Sequence, residues 1–149
     1  MHSMDKRVSK EELEYVAGLF TEYMRENDGS SSEYEVRSSG KLDSSITQPF
    51  QKISGNDLYP TLVSRASMLY YLCIKNHPFE DGNKRMGIFV LLIYLAKNGY
   101  WLDCNEEELF DITVYTAGSD VKDMEEVRGR IERFVEENMV PSDLSTLDL

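Results

Sequence analysis

Residues 77–85 read HPFEDGNKR and join two apolar segments of the chain. The segment before this stretch has apolar residues along one helical face, namely Leu62, Ala66, Leu69 and Cys73. The segment after it, residues 86–96, contains no charged side chain and is followed by Lys97-Asn98-Gly99, a typical helix end. This pattern predicts two helices joined by a short loop. A helix that is apolar on all sides belongs at the centre of a helical bundle.

The remaining stretches with a clear period also favour helices. Ser9 and Glu12 have the spacing of a capping box at the start of an apolar stripe. Asn105 precedes three glutamates, a pattern typical of a helix N-terminus. Pro141 is predicted to end a last helix, whose apolar stripe comprises Met124, Val127, Ile131 and Phe134. These patterns predict an all-α fold.

One part of the chain has no helical stripe. Residues 29–55 are rich in serine, and we interpret them as a loop or a short hairpin. Pro60 follows soon after this stretch and suits an early position of the helix that leads to residue 76.

Composition limits the class of protein. With 149 residues and 41% hydrophobic content, we expect one domain over residues 1–149, with flexible tails at 1–8 and 141–149. The net charge of −11 disfavours binding to nucleic acid or to an anionic membrane. The apolar run 86–96 is shorter than the roughly 20 residues that cross a bilayer. With two cysteines in no pairing motif and no apolar leader, we expect a soluble cytoplasmic protein.

The end of the quoted stretch has the properties of an anion site. Gly82, Asn83 and Lys84 stand where a helix begins, so their backbone N–H groups can donate to phosphate oxygens. Gly82 lets the backbone approach the anion without an intervening side chain. Lys84 and Arg85 add positive charge in a chain that is otherwise acidic, and arginine can bind phosphate through two parallel hydrogen bonds.

Two further side chains of the stretch supply the other parts of a nucleotide reaction. Asp81 offers a hard oxygen ligand suited to Mg²⁺, the ion that accompanies triphosphates. His77 carries an imidazole, which titrates near neutral pH and can accept a proton from a hydroxyl nucleophile. The spacing therefore predicts a base, a metal ligand and a phosphate site within one loop.

The stretch resembles the signature of the Fic/Doc (Fido) proteins, His-x-Phe-x-Asp/Glu-Gly/Ala-Asn-Gly/Lys-Arg. Every specified position is matched, by His77, Phe79, Asp81, Gly82, Asn83, Lys84 and Arg85. The resemblance extends over most of the chain and is strongest to domains related to the "death on curing" (Doc) toxins. It implies a Fido-type helical bundle with a central buried helix and a small β-hairpin flap.

The resemblance also implies roles for the matched residues. His77 is expected to be the general base that deprotonates a Ser, Thr or Tyr hydroxyl of a target protein. Phe79 is expected to face the core and fix the loop, and Asp81 to hold Mg²⁺. Asn83 and Arg85, with the backbone around Gly82, are expected to bind the phosphates of ATP or another nucleoside triphosphate.

The flap of the family pins the target polypeptide beside the nucleotide by strand addition. The resemblance places it between Gly40 and Gly55. Within it, the residues expected to face the target are Ile46, Thr47, Gln48 and Phe50.

At two positions, this chain has residues that differ from those of the AMP-transferring members of the family. Those enzymes usually have Gly where this chain has Lys84, and a second Arg where it has Ile88. Doc-type members share the lysine and lack that arginine, which implies phosphorylation from an inverted nucleotide. We therefore favour Doc-like phosphorylation over AMP transfer.

The family's inhibitory motif, Ser/Thr-x-x-x-Glu-Gly/Asn, is incomplete here. Ser31 and Glu35 have its spacing, but Val36 follows. A separate antitoxin-like partner is therefore the expected inhibitor.

Two alternatives to the enzyme remain. The first is a catalytically weak Fido module that binds a nucleotide or a partner, which the isoleucine at residue 88 and the acidic surface favour. The second, a DNA-binding regulator, has little support because the chain lacks a basic stripe.

Overall fold

The computed structural model describes residues 6–28, 38–77 and 82–142. Within these ranges it contains six α-helices and two small antiparallel sheets. The helices are α1 (Lys10–Asp28), α2 (Ser39–Thr47), α3 (Leu62–Lys75), α4 (Asn83–Lys97), α5 (Glu106–Gly118) and α6 (Met124–Asn138). The prediction of an all-α helical bundle is confirmed.

The antiparallel pair α3 and α4 forms the centre of the bundle. Helix α4 buries one broad face, which includes Met86, Val90 and Tyr94, while its other side is only half-buried. Helix α3 is more completely enclosed, because every residue from 66 to 74 is buried. Helices α5 and α6 pack against α3 from the side. The loop with the motif joins the two innermost helices, so the bundle fixes both of its ends.

The helix starts follow local capping rules. Ser9 and Glu12 form both halves of the predicted capping box, with N···O distances of 2.8 and 3.0 Å. The side chain of Asn105 caps α5, as predicted. Helix α3 begins differently from the prediction, because Pro60 lies outside it. The N-cap is Thr61, which forms a reciprocal capping box with Ser64.

The region between Gly40 and Gly55 differs from the predicted loop. It contains helix α2, a 3₁₀ turn at Gln48–Phe50 and then a hairpin of β1 (Lys52–Ile53) and β2 (Asn56–Asp57). The hairpin turn has positive φ at Ser54 (53°) and Gly55 (82°), the geometry of a tight type I′ connection. The hairpin interpretation is thus confirmed only for the last part of the segment.

The second sheet joins the segment after α6 to the segment after α4. Strand β3 (Tyr100–Leu102) pairs with β4 (Met139–Pro141), with Trp101 opposite Val140. The chain before α1 is also attached, because Val8 is buried and Lys6 exchanges two hydrogen bonds with Asn98. Residues 6–8 and 141 are therefore part of the folded unit and not of the predicted flexible tails. Pro141 lies in a strand, and α6 ends before it.

Within the described ranges, none of the helices combines the length and the apolar character that crossing a bilayer requires.

Candidate functional site

His77 follows directly after the end of α3. Its φ is 49°, in the left-handed region that few residues other than glycine adopt, and its imidazole is exposed. Such a backbone costs about 1 to 3 kcal/mol and persists only where surrounding contacts impose it. The chain thus turns sharply here and presents the ring to solvent instead of the core.

The other end of the loop is the N-terminus of α4. Gly82 is the N-cap, with φ of 75°, and makes no side-chain capping bond. By contrast, the side chains of Ser38, Thr61 and Asn105 accept a backbone N–H at the starts of α2, α3 and α5. A glycine at this N-cap places no side chain between the first turn of α4 and an approaching anion, which the positive end of the helix dipole attracts.

The two ends of the loop meet through one side-chain contact. Asn83 Nδ2 lies 3.4 Å from Nδ1 of His77. This is a long and therefore weak hydrogen bond, in which the amide donates and the imidazole nitrogen accepts. The structure thus brings together two predicted site residues, one expected to act as a base and the other to bind phosphate.

The first turn of α4 also carries two exposed cations, Lys84 and Arg85. Positive side chains at a helix N-terminus oppose the helix dipole, typically by about 0.3 to 1 kcal/mol each. Their placement therefore does not help the helix, whereas it suits a bound polyanion. Ile88, one turn further along α4, is half-buried against the core.

Two predicted site residues, Phe79 and Asp81, lie outside the described residues. The core-facing role of the first and the Mg²⁺ ligation of the second stay predictions. In the parts of the chain that the structure covers, no three His, Cys, Asp or Glu side chains are grouped as a metal site.

The residues expected to face the target are placed differently from the prediction. Ile46 is buried in the core, so its side chain does not face the surface where a target was expected to bind. Phe50 is half-buried, with its ring 5.8 Å from that of Tyr94 and the guanidinium of Arg7 over its face. Thr47 is the exposed last residue of α2, and Gln48 is half-buried at the start of the 3₁₀ turn. Neither residue therefore lies in a strand.

The sequence interpretation missed the position of the hairpin. Its side chains are exposed, with Ile53 60% accessible and Leu58, just after β2, 42% accessible. The signal was the pair Ser54-Gly55, because glycine readily adopts the positive φ that a two-residue turn requires.

These features define a Fido-type protein: a helical bundle whose two central helices are joined by a loop with a histidine at one end and a cationic helix N-terminus at the other. The sequence model of the Fic/DOC family matches residues 7–95, more than half of the chain, so the chain belongs to that family. A comparison with curated proteins and one with solved structures each returned no match. Fic/DOC proteins generally transfer nucleotide-derived groups onto other proteins.

Proposed function

We propose that this chain transfers a phosphate-containing group from ATP, or another nucleoside triphosphate, to a Ser, Thr or Tyr hydroxyl of a target protein. The observation that carries the proposal is the contact between His77 and Asn83 at the start of α4. It joins a group able to accept a proton to a helix N-terminus able to bind phosphate.

The proposed reaction requires one rearrangement within the site, a rotation of the Asn83 amide. The triphosphate lies at the first turn of α4, where the backbone after Gly82 and the side chains of Asn83, Lys84 and Arg85 bind its oxygens. Turning the Asn83 amide toward a phosphate oxygen breaks its weak 3.4 Å bond to His77 and frees Nδ1. That nitrogen then takes the hydroxyl proton as the target oxygen attacks phosphorus.

The leaving group depends on which phosphorus is attacked. Attack at the γ-phosphorus forms a phosphorylated target and releases ADP, whereas attack at the α-phosphorus forms an AMP–protein bond and releases pyrophosphate. We favour the first, because the position one turn after Arg85 holds Ile88, which cannot hold a distant phosphate as an arginine would.

A metal ion belongs to this proposal. Asp81 would hold Mg²⁺ beside the phosphates, where the ion neutralises charge that develops on their oxygens.

We further propose that the target binds along the hairpin of β1 and β2, not along residues 46–50. This support comes from exposure, because both strands are accessible while Ile46 is in the core. An Ile53→Asp variant should raise the KM for the target without changing ATP binding. Val121→Asp is a matched control, since Val121 is also exposed but lies between α5 and α6. Equal effects of the two variants on KM would refute the hairpin assignment.

The decisive experiment uses ATP labelled at either the α- or the γ-phosphate, incubated with cell lysate and the protein. We expect γ-label on a target protein from the wild type and none from His77→Ala. Transfer of α-label would instead show AMP transfer. If neither label moves, or if His77→Ala labels targets as the wild type does, the transferase proposal fails.

The second candidate is a catalytically weak module that retains a nucleotide or partner site, which Ile88 favours. Calorimetry with ATP and Mg²⁺ distinguishes the two, because binding without transfer to any target supports the module. A separate antitoxin-like inhibitor remains part of the proposal, because Val36 leaves the inhibitory motif at Ser31 and Glu35 incomplete. That motif lies outside the described residues. Its capture requires the full chain as bait, with loss of labelling as the readout.

A further inference from the structure

The last turn of α3 is fixed to a second helix on one side. Lys75 lies two residues before His77, and its Nζ donates to the backbone oxygens of Ala117 (3.2 Å) and Ser119. These carbonyls stand at the C-terminal end of α5, where a cation is favoured by the helix dipole. The ammonium group thus ties the end of α3 to the end of α5.

The next residue fixes the same turn to a third helix. Asn76, the C-cap of α3, donates from Nδ2 to Oγ of Ser45 at 3.0 Å, and its backbone N–H donates to Leu72 O. Ser45 belongs to α2, is fully buried and donates to Lys41 O at 2.7 Å. The hydroxyl therefore accepts from Asn76 while its own proton is already used within α2.

These two attachments come immediately before the residue with the left-handed backbone. The ring of His77 is exposed, and its hydrogen bonding within the described part of the chain is limited to the 3.4 Å contact with Asn83. Little else in these ranges holds the ring itself. Its position therefore follows from the backbone at residues 75 and 76, which the end of α5 and the buried Ser45 hold in place.

We propose that Lys75 and Asn76 are positioning residues for the transfer reaction: the contacts of Lys75 with α5 and of Asn76 with Ser45 hold His77 in reach of its substrate. The inference rests on the proposed function and adds two residues to it. Neither side chain touches the nucleotide or the target in this assignment. Their effect passes through the backbone of His77.

The expected signature is a loss of kcat without a loss of nucleotide binding. Misplacing a catalytic base by about 1 Å can lower a rate by about 100-fold. We expect Lys75→Met and Ser45→Ala each to lower kcat by about 10- to 100-fold at saturating ATP. The KM for ATP should stay within about 2-fold, because neither change touches the first turn of α4. Lys75→Arg should recover most of the activity, since its guanidinium can donate to the same carbonyls.

The pair Ser45 and Asn76 provides a sharper test. If both act through one hydrogen bond, Ser45→Ala, Asn76→Ala and the double variant should lower kcat by the same factor. Asn138→Ala is a matched control, because Asn138 also ends a helix and donates to Phe134 O, but at the end of α6. This control should lose stability without losing kcat beyond its unfolded fraction.

An NMR measurement reads the ring directly. The chain has two histidines, so the Hε1 signals are assigned with a His77→Gln variant. The signal of His77 should shift and broaden in Lys75→Met and Ser45→Ala, and return with Lys75→Arg. If the wild type transfers label and the variants keep its kcat and its His77 signal, the positioning role is refuted. The positioning role would also be refuted if the double variant lowered kcat by the product of the factors measured for the two single variants. Absence of transfer by the wild type would instead refute the proposed function.

Discussion

Helix α4 has a glycine, Gly87, that packs directly against α3. A methyl group built on Gly87 would lie 2.5 Å from Cγ1 and 3.1 Å from Cδ1 of Ile74, and 3.4 Å from the backbone oxygen of Tyr70. Ile74 is fully buried, so its side chain has little room to move away. We therefore expect Gly87→Ala to destabilise the fold, although alanine favours a helix.

The two opposing effects can be compared. Replacing glycine by alanine inside a helix gains about 1 kcal/mol in propensity. Forcing an extra methyl into a packed core costs about 1 to 3 kcal/mol, and a 2.5 Å contact belongs at the upper end. The expected net loss is about 1 to 2 kcal/mol of unfolding free energy. For a chain of this size it lowers Tm by about 2 to 8 °C.

The assay is urea unfolding followed by circular dichroism, arranged as a double-mutant cycle with Ile74→Ala. That change removes the clashing Cγ1 and leaves a space for the new methyl, so Gly87→Ala should become neutral or stabilising in its background. Gly129→Ala in α6 is the matched control, because its Cβ would meet only Arg133 Nη1 at 3.8 Å. It should be stabilising. Gly87→Ala with wild-type stability, or with the same cost in both backgrounds, would show that the crossing is not as tight as the structure indicates.

Three other outcomes follow from described contacts. Lys97→Met should cost about 2 kcal/mol in urea unfolding, because Lys97 forms a half-buried ion pair at 2.6 Å with Glu12. Burial raises the pKa of Glu12, but Lys97 and the capping bonds outweigh it and hold the pKa below its ordinary 4.5. The pair therefore stabilises the fold above pH 4.5, and this contribution is lost as the pH falls through the lower pKa of Glu12 in the folded state. Lys97→Met should make the free energy of unfolding depend less steeply on pH in this range. Asn105→Ala removes the N-cap of α5 and should cost about 1 kcal/mol, seen as a small fall in Tm; an unchanged Tm would contradict the cap. Burial raises the pKa of both thiols, to about 12 for Cys73, but Cys73 is fully buried whereas Cys104 is partly exposed. In the native protein a thiol reagent should therefore label Cys104 but not Cys73, and rapid labelling of both, read by mass spectrometry, would contradict that burial.

The sequence alone was sufficient to predict local structure wherever residues close together in the chain determine it. The start of α1 follows from Ser9 and Glu12, which satisfy each other's backbone donors within one turn. The start of α5 follows from Asn105, whose side chain accepts a hydrogen bond from the backbone N–H of Glu108. The family signature at residues 77–85 was also readable, because its meaning depends on spacing within one loop. Such interactions span three or four residues, so they can be predicted from the amino-acid sequence.

Tertiary contacts determined the elements that the sequence did not predict. Helix α2 has a serine-rich sequence with weak helical preference. It forms where Leu42 and Ile46 enter the core and Ser45 accepts a hydrogen bond from Asn76. The strand that contains Pro141 exists because β3 lies beside it.

The geometry at His77 likewise depends on partners on α2 and α5, helices far from it in sequence. Their contributions arise only when separate segments pack, because burial and long-range hydrogen bonds depend on which surfaces meet. The sequence by itself indicated the family signature at residues 77–85 and the starts of α1, α4 and α5. The packed structure alone decided which surfaces meet and how the loop is held.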